Sequence, residues 1–298
     1  MSTSSTQIAA VVVTFRRDPE LVRLLQSLEA STRQPTLIVI VDNAASAATE
    51  TVVAESSLNT FYMASPDNPG PGTGWKRGMQ AALVRLPGTT HFLVLDDDVV
   101  LPVEAIEKLV QASAKAVITC PMLLDSNAKI WAFPEPKKVQ LRKKIRQVQS
   151  ASDSTQLLGK EPLPFVWCTG ACLLVRRDAV DAAGFYRTDF WMLGEDLEYS
   201  MRLAAFGGGL FLPDVFVIHL PPIATEPAAA SHRKKFDSLL QNLAYLSFHH
   251  PSSDHLMSYL PGNARRYFRT FGWNLASLTR IVVCLWKGAI SGKPAGVK

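Results

Sequence analysis

The sequence predicts an α/β protein in which helices flank a mostly parallel sheet and a helical region follows at the C-terminus. Short apolar runs rich in β-branched residues alternate with helical patterns through the first half of the chain, as expected for βαβ units. Polar and acidic residues stand directly behind several of these runs. Beyond Pro221-Pro222 the pattern becomes helical and amphipathic. These three observations define the fold class.

The elements of the first half follow one another closely. Asp18 and Pro19 have the residue types of a helix start, with Asp18 as N-cap and Pro19 at the first helical position. The predicted order is a strand over 8–14, a helix with Leu21, Leu24, Leu25 and Leu28 buried, strands over 37–41 and 61–63, a glycine-rich loop over 65–74, a helix over 75–84, a strand over 91–95 and a helix over 103–113.

The second half is less regular. The segment 134–156 carries six lysines and arginines, and two interpretations stay open: a solvated surface, or a lid over phosphates. The later predicted elements are an apolar segment over 165–176 interrupted by Thr169-Gly170, a helix over 178–184, an aromatic strand over 185–192, a helix from Glu195 to about 205 and a strand over 210–220 containing His219.

The composition is that of a globular chain with a mild positive charge. The 298 residues are 47% hydrophobic and 19% charged, which excludes a disordered protein. The net charge of +5 suits nucleotide phosphates or an anionic membrane surface, and we expect no nucleic-acid partner. The sequence has no signal peptide, no apolar run long enough to span a membrane, and four cysteines without a framework or zinc spacing. We therefore expect a cytoplasmic protein with core cysteines.

Three consecutive aspartates, Asp96, Asp97 and Asp98, follow the apolar strand over 91–95. Ligands of open α/β sheets collect at the carboxyl ends of strands. Adjacent carboxylates repel one another unless a cation lies between them, and hard divalent cations prefer such oxygen ligands. A solvated acidic turn is the ordinary alternative.

Four further features have both a functional and an ordinary interpretation. The loop over 68–78 can bring backbone amides close to a phosphate or sugar, but it matches neither the P-loop nor the dinucleotide fingerprint. Asp42 at a strand end can bind a base or ribose, or cap a turn. Glu195 and Asp196 open a helix, where the helix dipole alone favours carboxylates. His219 is a metal ligand or a structural histidine.

Together these segments resemble the family 2 glycosyltransferases with the GT-A fold, and within them bacterial galactofuranosyl- and rhamnosyltransferases that extend lipid-linked glycans. The resemblance covers residues from about 8 to 225. The motifs that carry it, in chain order, are Val11-Val-Val-Thr-Phe-Arg-Arg17, Val41-Asp-Asn43, the glycine loop from Asn68, Leu95-Asp-Asp-Asp98, Thr169-Gly170 and Glu195-Asp196-x-Glu198-Tyr199.

Carried over residue by residue, the resemblance implies three groups of site residues. Asp196 matches the catalytic base. A divalent cation, Mn²⁺ or Mg²⁺, would be held by Asp96, Asp98 and His219. The nucleotide-sugar donor would be contacted by Thr14, Phe15, Arg17, Asp42, Asn68, Gly72, Gly74, Asp96, Asp97 and Glu195.

The resemblance implies an inverting, metal-dependent transferase that moves galactofuranose or rhamnose from a UDP- or dTDP-sugar to a lipid-linked glycan acceptor in cell-surface polysaccharide synthesis, for instance of O-antigen. The catalytic domain would span 1–225, with a nucleotide-sugar half over 1–115 and an acceptor half over 116–225. A retaining route through Glu195 or Glu198 stays open. So do two rival functions, those of a sugar-phosphate nucleotidyltransferase and of a non-catalytic sugar-binding relative.

The helical region over 226–298 contains an apolar stripe between residues 271 and 290. Two interpretations stay open. The stripe packs on the catalytic domain or on a second subunit of a homo-oligomer, or it docks the enzyme peripherally on the inner face of the cell membrane. The members of the stripe are Phe271, Leu275, Leu278, Val282, Leu285 and Ala289.

Overall fold

The computed structural model describes residues 6–220, 229–250 and 256–291. Its first described segment contains the strands of one twisted sheet, and every strand predicted between residues 8 and 95 is present. The strands are β1 (Ile8–Thr14), β2 (Leu37–Asp42), β3 (Thr60–Ala64), β4 (His91–Asp96), β5 (Val99–Val100), β6 (Ile118–Leu124), β7 (Ile130–Ala132), β8 (Glu135–Pro136), β9 (Leu163–Trp167), β10 (Cys172–Arg176) and β11 (Gly209–His219).

Helices cover both faces of this sheet and form the C-terminal region, as predicted. A short 3-10 helix, Leu256–Ser258, precedes the last two. The helices are α1 (Asp18–Glu29), α2 (Ala47–Ala54), α3 (Pro71–Arg85), α4 (Ala105–Ala112), α5 (Val139–Ile145), α6 (Ala151–Leu158), α7 (Arg177–Ala183), α8 (Glu195–Gly207), α9 (Ala229–His249), α10 (Tyr259–Phe271) and α11 (Leu275–Ile290).

The sheet is mixed, with strand order β3-β2-β1-β4-β10-β6-β11-β9-β8. The first four strands of this order are parallel, as predicted. Strand β10 runs antiparallel to both of its neighbours, β4 and β6. The parallel pairing predicted from the first half of the chain is therefore confirmed there, and β6 and β11 are also parallel, but the sheet as a whole is mixed. Strand direction depends on long-range connections, and local apolar patterns do not encode it.

Two apolar cores lie on opposite faces of the sheet. One packs α1, α2 and α4 against side chains such as Ala10 and Val12 of β1. The other packs α3, α7 and α8 against Val11 of the same strand. This alternation is the period-2 pattern of a strand buried on both faces. The cysteines predicted to be core residues are all free and buried: Cys120, Cys168, Cys172 and Cys284.

Several predicted boundaries need correction. Helix α1 begins at Asp18 with Arg17 at the N-cap, and the Asp18 carboxylate accepts a hydrogen bond from Thr49 at 2.7 Å instead of capping the helix. Helix α3 begins at Pro71, so that Gly72 and Gly74 lie in its first turn and not in a loop.

The predicted aromatic strand over 185–192 is wrong. The segment is irregular because its backbone is bound from α9: Ser238 Oγ donates to the Met192 carbonyl at 2.6 Å, and Asn242 Nδ2 donates to the Leu193 carbonyl at 2.9 Å. The basic segment over 134–156 forms two short surface helices, α5 and α6, with most of its cationic side chains exposed. This favours the solvated surface over the lid.

The C-terminal helices have a small core of their own, in which Phe236 and Leu240 of α9 contact Tyr267 of α10 and Ile281 of α11. Helix α9 also packs Tyr245 against Phe190, which lies in the segment between α7 and α8. The proposed boundary near residue 225 lies outside the described residues. Within the described part of the chain, no helix has both the length and the apolar character needed to cross a membrane.

Candidate active site

The carboxyl ends of neighbouring strands bring the candidate residues together at one edge of the sheet. Thr14 of β1 pairs with Asp42 of β2, and Val13 pairs with Asp96 of β4. The amide of Asp96 donates to the carbonyl of Ala171, just before the antiparallel β10. We call this end of the sheet, with Asp96, Asp97, Asp98, Glu195, Asp196 and His219, the acidic edge.

A candidate metal site lies at the acidic edge. Asp96, Asp98 and His219 each offer a ligand atom, and these atoms lie within 4.8 Å of one another. The short strand β5 positions them, because Val99 pairs with His219 and the carbonyl of Asp98 accepts from the amide of Leu220 at 2.7 Å. The chain thus folds the two ligand segments onto each other through backbone contacts.

The chemistry of these residues fits Mg²⁺ or Mn²⁺. Two carboxylates and one imidazole form a donor set that such ions accept. Asp98 Oδ1 is buried, accepts no hydrogen bond from the described residues, and lies 3.4 Å from His219 Nε2. An unpaired buried carboxylate oxygen is costly, and a cation would satisfy it. Burial lowers the pKa of His219, which favours the neutral imidazole that binds metals.

Negative charge accumulates around this site. Burial, together with Asp98, Asp97 and Asp196, raises the pKa of Asp96 well above its usual value. Burial also raises the pKa of Asp97 to about 7, although Arg17 opposes the shift. Burial is the main physical cause and repulsion among the carboxylates adds to it, and a divalent cation bound here would oppose both.

Arg17 supplies counter-charge from the residues after β1. Its guanidinium forms an ion pair with Asp97 at 3.2 Å and a closer one with Asp98. Thr14 is buried at the end of β1, whereas the Phe15 ring is exposed. These residues therefore lie beside the candidate metal site. Contact with the donor stays a prediction for all four: Thr14, Phe15, Arg17 and Asp97.

Asp196, the predicted base, is anchored at the start of α8. Its Oδ2 accepts from the Gly170 amide at 2.9 Å and its Oδ1 accepts from the Leu197 amide at 2.8 Å. A β-carbon on Gly170 would lie only 2.9 Å from Asp196 Cβ, so this approach requires glycine. Burial raises the pKa of Asp196 and the backbone amides oppose that shift. A carboxylate so held is a fixed proton acceptor.

Glu195 and Glu198 differ in their environments. Glu195 is buried at the acidic edge, its Oε2 accepts no hydrogen bond from the described residues, and burial followed by Asp196 raises its pKa. Glu198 forms a bidentate ion pair with Arg202, both contacts at 2.8 Å, and is fully buried. Glu198 is therefore a structural residue, and the retaining alternative depends on Glu195 alone.

Asp42 stabilises a turn in this structure. It is fully buried, and its carboxylate accepts from the amides of Ala44 and Ser46 and from the Tyr62 hydroxyl. This is the ordinary interpretation of an aspartate at a strand end. Contact with the nucleotide base stays a prediction and requires this turn to open.

The glycines of α3 serve helix packing. A β-carbon on Gly74 would lie 2.9 Å from the Val13 side chain, and one on Gly72 would lie 3.3 Å from Glu195 Cβ. Neither glycine faces open space. Asn68, with a positive φ of 39°, accepts from the Trp191 indole, so this loop lies against the segment before α8. Donor contact by these three residues stays a prediction.

Trp131 is a site residue that the sequence reasoning missed. Its ring stacks on His219 with centroids 3.9 Å apart and an interplanar angle of 10°. It also lines a groove of about 720 Å³ with Gln149 and Asp153. The side chain of Trp131 is 45% exposed. In the sequence it is an isolated tryptophan, and nothing in the linear pattern connects it to His219.

Comparison with known proteins identifies relatives over most of the chain. The family described as "Glycosyltransferase like family 2" matches residues 6–236. The N-acetylglucosaminyl-diphospho-decaprenol L-rhamnosyltransferase of Mycobacterium tuberculosis is 24% identical over 245 aligned positions, covering 76% of this chain and 80% of the relative. Galactofuranosyltransferase GlfT1 of the same species is 28% identical over 204 positions, covering 67% and 65%.

Solved structures share the fold. Residues 1–349 of S. aureus TarS superpose with a TM-score of 0.61 at 14% identity, covering 95% of this chain and 80% of that one. GalNAc-T7, solved with UDP, GalNAc and Mn²⁺, gives 0.61 at 15% identity, covering 92% and 54%. At such identities the likeness shows the fold, which is that of GT-A glycosyltransferases.

Proposed function

Because this chain belongs to the glycosyltransferase family 2, we propose that it is an inverting enzyme that transfers galactofuranose or rhamnose from a UDP- or dTDP-sugar to a hydroxyl of a lipid-linked glycan. The family assignment sets aside the nucleotidyltransferase and the non-catalytic relative. The observation that supports this reaction best is the acidic edge, where three metal-ligand candidates lie beside one anchored carboxylate. The named rhamnosyl- and galactofuranosyltransferase relatives support the choice of sugars.

Asp96, Asp98 and His219 would hold the Mn²⁺ or Mg²⁺, which supplies charge neutralisation for the departing diphosphate. Arg17 lies beside them and adds positive charge for the phosphates. Asp196 accepts the proton of the acceptor hydroxyl while the hydroxyl oxygen forms its bond to the anomeric carbon. The bond from that carbon to the diphosphate breaks, and the electron pair leaves with the diphosphate.

A single displacement inverts the anomeric carbon. A retaining route would need a second carboxylate as nucleophile within reach of the sugar. Glu198 is held by Arg202, and Glu195 is buried beneath Gly72. The geometry therefore supports inversion with Asp196 as base.

The lipid carrier of the acceptor is proposed from the rhamnosyltransferase relative, which is named for an N-acetylglucosaminyl-diphospho-decaprenol acceptor. An acceptor anchored in a bilayer would require the enzyme to work at the membrane surface, on the inner face where nucleotide sugars are made. Peripheral contact with the membrane and a role in cell-surface polysaccharide synthesis follow from that proposal.

The test uses the purified full chain with UDP-galactofuranose and dTDP-rhamnose, each with and without Mn²⁺. We expect release of UDP or dTDP from one donor, dependent on the metal and increased by a glycan acceptor. The anomeric configuration of the product, measured by NMR, decides between inversion and retention. Absence of release from both donors would contradict the donor proposal.

A further inference from the structure

Helix α11 has two unlike faces, and only one of them is packed. The buried residues of α11 are Ser277, Ile281, Cys284 and Gly288, and three of the four are small. A β-carbon on Gly288 would lie 2.2 Å from the carbonyl of Gln241, which shows how closely the two helices approach. Of the apolar stripe that the sequence suggested, Phe271 and Leu285 pack against the core of the C-terminal helices, whereas Leu275, Leu278 and Val282 are exposed.

The opposite face exposes large apolar side chains. Gly272, with φ of 93°, ends α10 and Asn274 caps α11 by accepting from the Ser277 amide, so the stripe predicted as one helix is split at these residues. Leu275 is 77% exposed and Trp286 is 59% exposed. We call the exposed set the docking face: Trp273, Leu275, Leu278, Val282, Val283, Trp286 and Ile290.

The charged residues of the last described segment, 256–291, are all cationic. The residues over 256–291 contain no aspartate or glutamate, and they carry the cations Arg265, Arg266, Arg269, Arg280 and Lys287. Arg280 is paired with Asp237 of α9. Arg265, Arg269 and Lys287 are exposed. An exposed apolar stripe that is accompanied by exposed cations, with Asp237 neutralised by Arg280, is complementary to anionic headgroups over acyl chains.

We propose that the docking face binds the surface of an anionic lipid bilayer. The tryptophans at positions 273 and 286 suit the headgroup region, since their rings are apolar and their N–H groups are polar. A contiguous exposed apolar surface of this kind marks an interaction site in a globular protein. The absence of acidic side chains over 256–291 favours lipid over a second copy of the same cationic face.

The docking face is connected to the catalytic body through α9. Helix α11 packs along α9, and Asn242 of α9 donates to the carbonyls of Met192 and Leu193, two residues before the helix that begins with Glu195. Attachment of α11 to a bilayer would hold the active site of this chain at the membrane. The inference rests on the proposed function and extends its membrane contact to a named surface.

The experiment is sedimentation of the full chain with vesicles in the absence of donor sugar. With vesicles of phosphatidylglycerol and phosphatidylcholine we expect most of the protein to pellet, and at least tenfold less with pure phosphatidylcholine or at high salt. The double variant L278E/W286E should lose binding to anionic vesicles at least tenfold. Val84→Glu, at an 81% exposed position of α3, is the matched control and should bind as the unaltered chain does.

Three outcomes would overturn the proposal: no binding of the unaltered chain, equal binding to neutral vesicles, or unchanged binding of the double variant. Sedimentation velocity without vesicles identifies the competing occupant, because a dimer that L278E/W286E converts to monomer would make the docking face a subunit interface. Circular dichroism and release of nucleoside diphosphate from the donor, both without vesicles, should match those of the unaltered chain. Loss of vesicle binding with retained release separates this inference from the proposed reaction.

Discussion

The acidic edge and the C-terminal helices are opposite kinds of surface. At the acidic edge, buried carboxylates lie closer together than their charges favour, and burial raises the pKa of several of them. On α11, large apolar side chains are exposed to water beside cations. The first region has charge without sufficient counter-charge, and the second has apolar surface without cover.

Both arrangements oppose the stability of the isolated chain. Sites that bind a partner often retain such unfavourable features, because the partner compensates them. In the function proposed above, the compensating partners at the acidic edge are a cation and a diphosphate. In the inference drawn from α11, the partner of the docking face is lipid. A substitution that removes the unfavourable feature of either region should therefore weaken binding of its partner, and it should leave the stability of the isolated chain unchanged or raise it.

The largest effect is expected from Asp98→Ala or Asp96→Ala. Loss of one ligand leaves the diphosphate without several kcal/mol of charge stabilisation, so transfer should fall by about 10³-fold or more. Donor release assays with Mn²⁺ measure this. The melting temperature of Asp96→Ala should be unchanged or raised, since one repelling carboxylate is removed, whereas Asp98→Ala also breaks the ion pair with Arg17 and needs a melting curve to show that it is folded. Full activity in either variant would contradict the metal site.

Asp196→Asn should lower turnover by about 10²–10⁴-fold, the usual contribution of a general base. Donor affinity, measured by calorimetry, should stay nearly unchanged. Because the new amide group would face the N–H of either Gly170 or Leu197, a melting curve must show that the variant is folded. Glu195→Gln is the matched comparison, and an inactive Glu195→Gln with an active Asp196→Asn would reassign the base.

The two faces of α11 can be compared by adjacent substitutions. Ile281→Ala creates a cavity against α9 and should cost about 2–5 kcal/mol in the free energy of unfolding. Val282→Ala on the docking face should change it by no more than about 0.5 kcal/mol. Urea unfolding of the full chain in the absence of lipid measures both. A larger loss for Val282→Ala would mean that protein already covers the docking face.

His219→Ala should weaken Mn²⁺ binding by about tenfold or more, with activity partly restored at high Mn²⁺. Trp131→Ala should act in the same direction with a smaller effect, because Trp131 orients the imidazole of His219 and offers no ligand atom to the metal. Trp131→Phe keeps a ring against the imidazole and serves as control. Calorimetric titration of the metal measures all three. Unchanged affinity in His219→Ala would make His219 structural.

The smallest expected effect is a change of folding stability with pH. Burial raises the pKa of Asp97 in the folded chain to about 7 from 3.8, so the folded state holds a proton that the unfolded state has lost. Stability must then fall as pH rises through that value. In EDTA we expect the melting temperature to drop by a few degrees as pH rises from about 5 to 8, and histidines contribute to the curve in the same range. The difference between the unaltered chain and Asp97→Asn isolates the share of Asp97, so the drop should be smaller in Asp97→Asn, and saturating Mn²⁺ should reduce it in the unaltered chain.

Much of the secondary structure in the first half of the chain could be predicted from the sequence. The strands that end at Thr14, Asp42 and Asp96 are recognisable because apolar β-branched runs stop at polar residues, and parallel strands place those stops at one edge. The helical C-terminal region was equally clear from its periodicity. These features depend on local patterns.

The sequence left alternatives open where one pattern has two causes. Gly74 is required because Val13 lies against it, and a phosphate would require the same lack of a side chain. Asp42 caps a turn, which its position at a strand end allowed equally. The stacking of Trp131 on His219 and the antiparallel direction of β10 depend on contacts between segments distant in sequence, which a linear pattern does not contain.

The burial of all four cysteines has a practical consequence for fluorescence work. Burial raises the pKa of Cys172 and Cys120, and it raises that of Cys284 to about 11. Thiols that are both inaccessible and protonated react slowly with maleimides. The natural chain can therefore carry a single introduced cysteine on α11 as its one reactive label. An environment-sensitive dye at position 282 would then report the depth of the helix in a bilayer directly.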